Sequence, residues 1–209
     1  MKARVNRQSG GISNNLVRKR IQTIAKENGL SEQIQFVLLN LFDYMMKKQI
    51  YGCCHALSSA LYVALCELGE SPQLYVGECF TSKEEPFDHS WITLNGKIID
   101  IAIYMPLSQK CNSVTGVVVM DIDTSTQKKV DTQYGYETGL DFDYETKVLI
   151  QTPFVEYMNA YPFERNGLWT VVQMILPDTF EFDVNTIKDK YANTERIIYS
   201  KKGEGNVHN

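Results

Sequence analysis

Residues 88–100 read DHSWITLNGKIID and carry the strongest local signal in the chain. The dipeptide Asn95-Gly96 lies between two runs that are rich in β-branched and aromatic residues. This pattern predicts a β-hairpin with a two-residue type I′ turn, in which both turn residues have positive φ. A two-residue turn places Leu94 opposite Lys97 and thereby fixes every further pair along the two strands. The stretch therefore predicts two strands and also their register.

The predicted register places His89 and Asp100 side by side. Counting back from the turn, Asp100 comes opposite Trp91, and His89 is two residues further along the first strand. Side chains alternate between the faces of a strand, so these three residues share one face. Diagonal neighbours on one face are close enough for their side chains to meet. We expect Asp100, and not the adjacent Asp88, to be the partner of His89.

A second stretch, YGCCHALSSALYVALCELG at 51–69, predicts an apolar helix with two cysteines at its N-terminus. If the helix begins near Gly52, Cys54 aligns with the apolar side chains that face the sheet, and Cys53 lies about a quarter-turn away. A thiol in the first turn is close to the positive end of the helix dipole, which favours the thiolate. We therefore predict that Cys54 is a reactive thiol.

The chain has only three histidines, His55, His89 and His208. His208 belongs to the predicted tail. His55 directly follows Cys54, and adjacent helical residues point about 100° apart, so the two side chains are not expected to face each other. His89 is then the predicted base. Cys54, His89 and Asp100 together provide a nucleophile, a base and a group that orients the base.

The other cysteines have no histidine placed beside them by the sequence. We expect Cys66 and Cys79 to be small buried side chains, and Cys111, in a predicted loop, is unassigned. A zinc site is an alternative, although adjacent cysteines are poor zinc ligands compared with Cys-x₂-Cys. Its ligands would be Cys53, Cys54, Cys79 and His89. The main interpretation involves no metal and no other cofactor.

The composition is that of an ordinary globular domain, with 44% hydrophobic and 22% charged residues among 209. The net charge of -4 gives no reason to expect nucleic acid or an anionic membrane as a partner. No apolar run has the length of a membrane span, and the basic N-terminus lacks the apolar segment of a signal peptide. Five cysteines do not suit a disulfide framework, so we expect reduced thiols and a cytoplasmic location.

Helical patterns come first along the chain and strand patterns follow, which predicts an α+β fold with the cysteine helix packed on an antiparallel sheet. We expect a flexible arm at 1–13, one domain at 14–200 and a disordered tail at 201–209. Helices are predicted at 16–29, from Ser31 to about 49, at 52–69 and near 184–192. Strands are predicted at 74–80, 90–94, 97–103, 115–122 and 146–151, with a further β-rich run at 168–176 and a surface loop at 131–145.

The two quoted stretches together resemble the core of the transglutaminase-like superfamily, which belongs to the broader papain-like cysteine enzymes. In that family a Gly-x-Cys opens a helix that ends in Leu-Gly, a His precedes a Trp on a strand, and an Asp closes the next strand. The resemblance covers about residues 50–103. The matching residues are Gly52 with Cys54, Leu68 with Gly69, His89 with Trp91, and Asp100.

This resemblance implies a thioester-forming enzyme that acts on a peptide, a protein or a small amide. The acyl group would pass to water, as in a peptidase or amidase, or to an amine, as in a transamidase. The oxyanion hole needs the backbone N–H of Cys54 and a second, upstream donor, for which Gln49 and Tyr51 are both candidates. Residues after about 104 lie outside the resemblance, and we expect them to determine substrate choice.

Two alternatives share the same core. A binding module could keep the fold and lose the activity, although the retention of all three site residues argues against it. An arylamine-type N-acyltransferase has the same order of cysteine, histidine and aspartate, but nothing in the sequence favours an acyl-CoA partner.

Overall fold

The computed structural model describes residues 12–81, 84–107 and 115–199, and these residues form an α+β fold. The helices of this part are α1 (Asn14–Glu27), α2 (Glu32–Lys48), α3 (Cys54–Glu67), α4 (Tyr144–Gln151), α5 (Phe154–Ala160), α6 (Leu168–Ile175) and α7 (Val184–Lys190), with a 3-10 helix at Ala102–Tyr104. The strands are β1 (Gln73–Thr81), β2 (Glu84–Leu94), β3 (Lys97–Asp100), β4 (Val118–Val119), β5 (Ile122–Asp123), β6 (Lys128–Lys129), β7 (Gln133–Tyr134) and β8 (Ile197–Tyr199).

The three N-terminal helices lie where the sequence predicts them. The hydroxyl of Ser13 accepts a hydrogen bond from the backbone N–H of Leu16, and that of Ser31 accepts one from Ile34, so both serines cap their helices. Cys53 is the N-cap of α3, and Cys54 is its first helical residue. The thiol of Cys54 therefore lies at the N-terminus of α3, as expected.

The strands form one curled sheet in the order β6-β5-β4-β3-β2-β1-β7, with antiparallel neighbours throughout this path. Two strands share the outer edge of β1. β8 runs parallel to it along Tyr75–Gly77, and β7 pairs with Cys79 and Phe80. β1 and β2 are the longest strands of the sheet, with 9 and 11 residues, and β2 carries His89.

The predicted hairpin and its register are confirmed. Asn95 and Gly96 have φ values of 53° and 73°, as a type I′ turn requires. Leu94 pairs with Lys97, and the ladder continues through Thr93 with Ile98 and Ile92 with Ile99.

The sheet separates two apolar clusters. The larger lies between the sheet and the helices and includes Leu57, Ile92, Ile99 and Trp169. The smaller, on the other face, consists of Cys79, Trp91, Ile103, Val118 and Tyr134. Because side chains alternate, His89 and Asp100 belong to the same face as Trp91 and lie beside the smaller cluster.

Two strand predictions are wrong: 146–151 lies in α4 and 168–176 in α6. Leu168, Trp169, Val171, Val172 and Ile175 of α6 are all buried, and this spacing is the apolar stripe of a helix. In α4, Asp143 caps the helix by accepting from the backbone N–H of Thr146. The β-branched residues of both segments favour strands locally. In α6 the burial of a helical face in the larger cluster outweighs that preference, whereas in α4 the cap at Asp143 supports the helix.

Smaller departures concern the ends of strands. The predicted strand 97–103 stops at Asp100 and continues as the 3-10 helix, and 115–122 is broken by a turn at Met120 and Asp121, both with positive φ. The acidic stretch 131–145 includes β7 and the start of α4.

The predicted tail 201–209 lies outside the described residues, as do residues 1–11 of the predicted arm. None of the helices in the described ranges is both long and apolar enough to span a membrane.

Gly167, between α5 and α6, is expected to be the least replaceable glycine. A Cβ at this position would lie 2.1 Å from the carbonyl oxygen of Met158, and its φ of 62° and ψ of -149° are open almost only to glycine. Gly139 also has positive φ, 78°, but a Cβ there meets nothing within 4 Å. We expect Gly167→Ala to lower the free energy of unfolding by about 3 kcal/mol or more, and Gly139→Ala by about 1 kcal/mol. Urea denaturation of both variants measures this difference, and equal losses would contradict the packing of α5 on α6.

Candidate active site

His89 and Asp100 form a buried hydrogen-bonded pair. Nε2 of His89 is 2.7 Å from Oδ2 of Asp100, and the two residues are 5% and 1% exposed. An ionised carboxylate only accepts hydrogen bonds, so Nε2 carries a proton and Nδ1 is left for another partner. Burial alone would lower the pKa of His89, but Asp100 and the thiolate of Cys54 together raise it. The arrangement therefore favours the imidazolium form of His89.

Asp88 takes no part in this pair. Its Oδ2 accepts a hydrogen bond of 2.7 Å from the backbone N–H of Asp143, at the N-terminus of α4. Burial, and to a smaller extent the charge of Asp143, raise the pKa of the Asp88 carboxyl. The expectation that Asp100 and not Asp88 is the partner of His89 is confirmed by these contacts.

Cys54 lies where α3 meets this pair. The hydroxyl of Ser58, one turn further along α3, donates to the carbonyl of Ser90 over 2.9 Å and so fixes the helix against β2 beside His89. Cys54 packs against the larger apolar cluster, and its thiol lies close enough to His55 and His89 for both to act on its charge. Burial would raise the pKa of Cys54, but the two histidines outweigh it and lower the pKa well below the ordinary 9.0. The structure thus brings Cys54, His89 and Asp100 together, and their catalytic roles stay predictions.

The neighbouring thiol has the opposite character. Cys53 is buried, and its Sγ lies 3.6 Å from the carbonyl oxygen of Ile50. Burial and the charge of the Cys54 thiolate raise the pKa of Cys53 to about 12. Burial also raises the pKa of Cys66, and that of Cys79 still more. Of the four cysteines within the described residues, only Cys54 is held as a thiolate; Cys111 lies outside them.

His55 lies close enough to Cys54 to lower the pKa of its thiol, although the printed partners of its ring nitrogens are other side chains. The ring lies between two hydroxyl groups, with Nδ1 2.6 Å from Oγ of Ser90 and Nε2 3.4 Å from Oγ1 of Thr146.

Tyr134 is a further contributor that the sequence did not indicate. Its hydroxyl donates to Oδ2 of Asp100 over 2.9 Å, and the backbone N–H of Ile103 donates to Oδ1 over 3.1 Å. The ring of Tyr134 packs against Trp91 with 5.1 Å between centroids. Tyr134 comes from β7 at the far side of β1, so only the tertiary fold brings it to Asp100.

The segment before α3 holds both candidate oxyanion donors. Gln49 ends α2 with a left-handed backbone, φ 54°, and an exposed side chain, and Tyr51 is 41% exposed. Gly52 donates its N–H to the carbonyl of Met105 over 2.9 Å, and a Cβ on it would lie 2.7 Å from Cβ of Leu107. This close approach fixes the chain directly before Cys54, with Gln49 and Tyr51 both still candidates.

The alternative zinc site finds no support in the geometry. Within the described ranges, no three His, Cys, Asp or Glu side chains are grouped so as to hold a metal ion. The Cys53 sulfur is directed to the carbonyl of Ile50, and Cys79 packs in the smaller apolar cluster with Trp91. The four proposed ligands do not converge.

Comparison with protein-family models, curated proteins and solved structures gives no match to this chain.

Limited alkylation should distinguish Cys54 from the other thiols. Because the pKa of Cys54 is lowered, its thiolate persists below pH 9, whereas Cys53, Cys66 and Cys79 are protonated there. We expect iodoacetamide to label Cys54 at a nearly constant rate from pH 8.5 down to pH 7, while labelling of Cys66 slows about tenfold per pH unit. Peptide mapping by mass spectrometry measures both rates, and preferential labelling of Cys53 would contradict the assignment.

A pair of aspartate variants tests the coupling of the site. Asp100→Asn removes the charge that opposes the effect of burial on His89, so the imidazolium is lost and the pKa of Cys54 rises. We expect alkylation of Cys54 at pH 7 to slow about tenfold or more. Asp88→Asn is the matched control and should leave the rate nearly unchanged, because Asp88 binds the N–H of Asp143 instead. Equal effects in two variants with native circular dichroism would mean that Asp100 does not act through His89.

Proposed function

We propose that this chain is a cysteine-dependent acyl-transfer enzyme of transglutaminase-like type that acts on a peptide, protein or small amide substrate. The observation that supports this most is the buried 2.7 Å hydrogen bond between His89 and Asp100 beside the thiol of Cys54. A thiolate paired with an imidazolium is the reactive form of a cysteine nucleophile. The motif order of cysteine, histidine and aspartate supports the same proposal.

The first half-reaction forms a thioester. The Cys54 thiolate attacks the substrate carbonyl carbon, a C–S bond forms, and the carbonyl oxygen becomes an oxyanion. The backbone N–H of Cys54 and a second donor, from Gln49 or Tyr51, stabilise that charge. His89 then donates its Nδ1 proton to the leaving amine, and the C–N bond breaks. His89 is neutral at the end of this step.

Asp100 acts by orienting His89. It holds the Nε2 proton, which leaves Nδ1 directed at the thiol, and it stabilises the imidazolium. The carboxylate is itself held by Tyr134 and by the N–H of Ile103, so its position is fixed before the substrate arrives. A buried charge is tolerated only when paired and hydrogen-bonded in this way.

The second half-reaction transfers the acyl group to water or to an amine. The net charge of -4 favours a neutral or cationic substrate over an acidic one. Residues after about 104 contribute Tyr134 and Thr146 to the surroundings of the site, and substrate choice is expected to depend on this part of the chain.

A trapped acyl-enzyme tests the proposal directly. Incubation with slow acyl donors, namely a peptide ester, a glutamine-containing peptide and an acyl thioester, should give a covalent adduct on Cys54 in the mass spectrum. Cys54→Ser should abolish turnover with little loss of stability, because it opens no large core cavity. His89→Gln, which keeps a hydrogen-bond donor for the buried Asp100, should also abolish turnover. Cys66→Ser, away from the pair, is the control and should retain activity.

The opposite result would favour the binding module. If none of these donors acylates Cys54 while the folded protein still binds a peptide at this site, the chain has kept the fold without the activity.

A further inference from the structure

Two donors share one oxygen of the Asp100 carboxylate. Oδ2 accepts from Nε2 of His89 over 2.7 Å and from the hydroxyl of Tyr134 over 2.9 Å, while Oδ1 accepts from the backbone N–H of Ile103. A carboxylate oxygen has two lone pairs for hydrogen bonds, so these two donors use both lone pairs of Oδ2. Tyr134 and His89 therefore draw on the same negative charge.

The hydroxyl of Tyr134 is fixed at this oxygen by the fold. Tyr134 is 9% exposed, and its ring packs against Trp91 with 5.1 Å between centroids. The pairing of Tyr134 with Cys79 attaches β7 to β1. The ring of Tyr199 from β8 occupies the space that a side chain at Gly135 would need, so it covers the chain directly after Tyr134. Three strands thus place this one donor.

The hydroxyl dipole opposes a positive charge on His89. The hydrogen of the Tyr134 hydroxyl and the hydrogen on Nε2 of His89 both point at Oδ2, so the positive end of the O–H dipole lies close to the imidazolium. The hydroxyl also takes up part of the Asp100 charge that would otherwise stabilise the imidazolium. Tyr134 therefore favours the neutral ring and makes Nδ1 of His89 a better proton donor.

The other titratable groups around His89 lie on three elements. Asp100 of β3 and the thiolate of Cys54 on α3 raise the pKa of His89. Cys79 of β1 lies with Tyr134 in the smaller apolar cluster, and burial raises the pKa of its thiol well above the ordinary 9.0, so it carries no charge at pH 7. Of these neighbours, Tyr134 is the one that acts against the imidazolium.

We propose that Tyr134 is a positioning residue that sets the acid strength of His89 through Asp100, and that it adapts the site to substrates with strongly basic leaving groups, which are amides rather than thioesters. This inference rests on the proposed acyl-transfer function. When Cys54 is acylated, the bond from the acyl carbon to the leaving nitrogen breaks, and the Nδ1 proton of His89 passes to that nitrogen. If Asp100 held His89 too tightly in the protonated form, the tetrahedral intermediate would expel the thiolate instead.

Two acetate esters with different leaving groups test the acid strength of His89. Nitrophenolate is a weak base that leaves without a proton, whereas the phenoxide of phenyl acetate is a stronger base that needs one. In Tyr134→Phe we expect kcat/KM for p-nitrophenyl acetate to change by less than about threefold and that for phenyl acetate to fall about tenfold. Because kcat/KM covers the steps up to acylation of Cys54, the later transfer to water does not enter the comparison.

Proton NMR of the hydrogen bond between His89 and Asp100 gives a readout that does not depend on turnover. The Nε2–H signal of His89 is identified by its absence from His89→Gln, and we expect it downfield of the amide signals at pH 7. Removal of the competing hydroxyl strengthens the bond between Nε2 and Oδ2, so Tyr134→Phe should move this signal further downfield.

Tyr75→Phe is the matched control. Tyr75 stacks on Trp91 with 5.6 Å between centroids, but its hydroxyl donates to Gln73 and not to Asp100. We expect both kcat/KM values and the NMR signal to be unchanged in this variant. Circular dichroism and the rate of Cys54 alkylation by iodoacetamide are measured in every variant, because they report on the fold and on the thiolate.

Each outcome gives a decision. A selective loss with phenyl acetate together with the downfield shift in Tyr134→Phe supports the proposal. Either result without the other, or a fall in both ester rates and in alkylation by one common factor, shows that Tyr134 does not act on the acid strength of His89. That result overturns the proposal and leaves the acyl-transfer function intact. If the unaltered protein hydrolyses neither ester and no acetyl-Cys54 forms, the acyl-transfer function fails and this inference fails with it.

Discussion

The turn at Asn95 and Gly96 holds β2 and β3 in one register, and the contact between His89 and Asp100 follows from it. A slip of one residue would move Asp100 to the opposite face, among the apolar side chains beneath the helices. A buried carboxylate without its partner costs several kcal/mol, so the slipped pairing is strongly disfavoured. The same turn that closes the hairpin thereby selects a single arrangement of the two side chains.

The contact between His89 and Asp100 determines, one step after another, the charges of the other groups in the site. Asp100 stabilises the imidazolium of His89, and the imidazolium in turn stabilises the thiolate of Cys54. The thiolate then acts on its neighbours, and together with burial it raises the pKa of Cys53. Cys53 and Cys54 therefore differ in charge although they are adjacent, because the histidines lower the pKa of Cys54 alone. The negative charge on Cys54 also disfavours a second thiolate at Cys53.

Local chemistry was enough to predict the contact between His89 and Asp100, whereas the second half of the fold needed tertiary information. The pair His89 and Asp100 depends on a two-residue turn, and the helix dipole at Cys54 depends on the start of one helix; both are properties of short segments. The runs at 146–151 and 168–176 contain β-branched residues that favour strands, yet both lie in helices. The buried face of α6 packs in the larger cluster, and α4 is capped by Asp143. Tyr134 reaches Asp100 only because β7 pairs with β1, and no short-range pattern reports such a pairing.

The outer edge of β1 has a consequence for how the protein is made. Tyr75–Gly77 pair with β8, whose residues are synthesised far later, on the order of ten seconds at ordinary translation rates. Until β8 is made, the backbone N–H and C=O groups of that edge can form hydrogen bonds with another chain. The ring of Tyr199, whose centroid lies 6.0 Å from that of Trp91 in the folded protein, is also absent. A larger side chain at position 77 could not shield this edge, because in the folded protein its Cβ would lie 2.6 Å from the carbonyl oxygen of Tyr199. The nascent chain therefore passes through a period in which one edge of β1 is open to aggregation, and this period ends when β8, the last strand of the sheet, is translated.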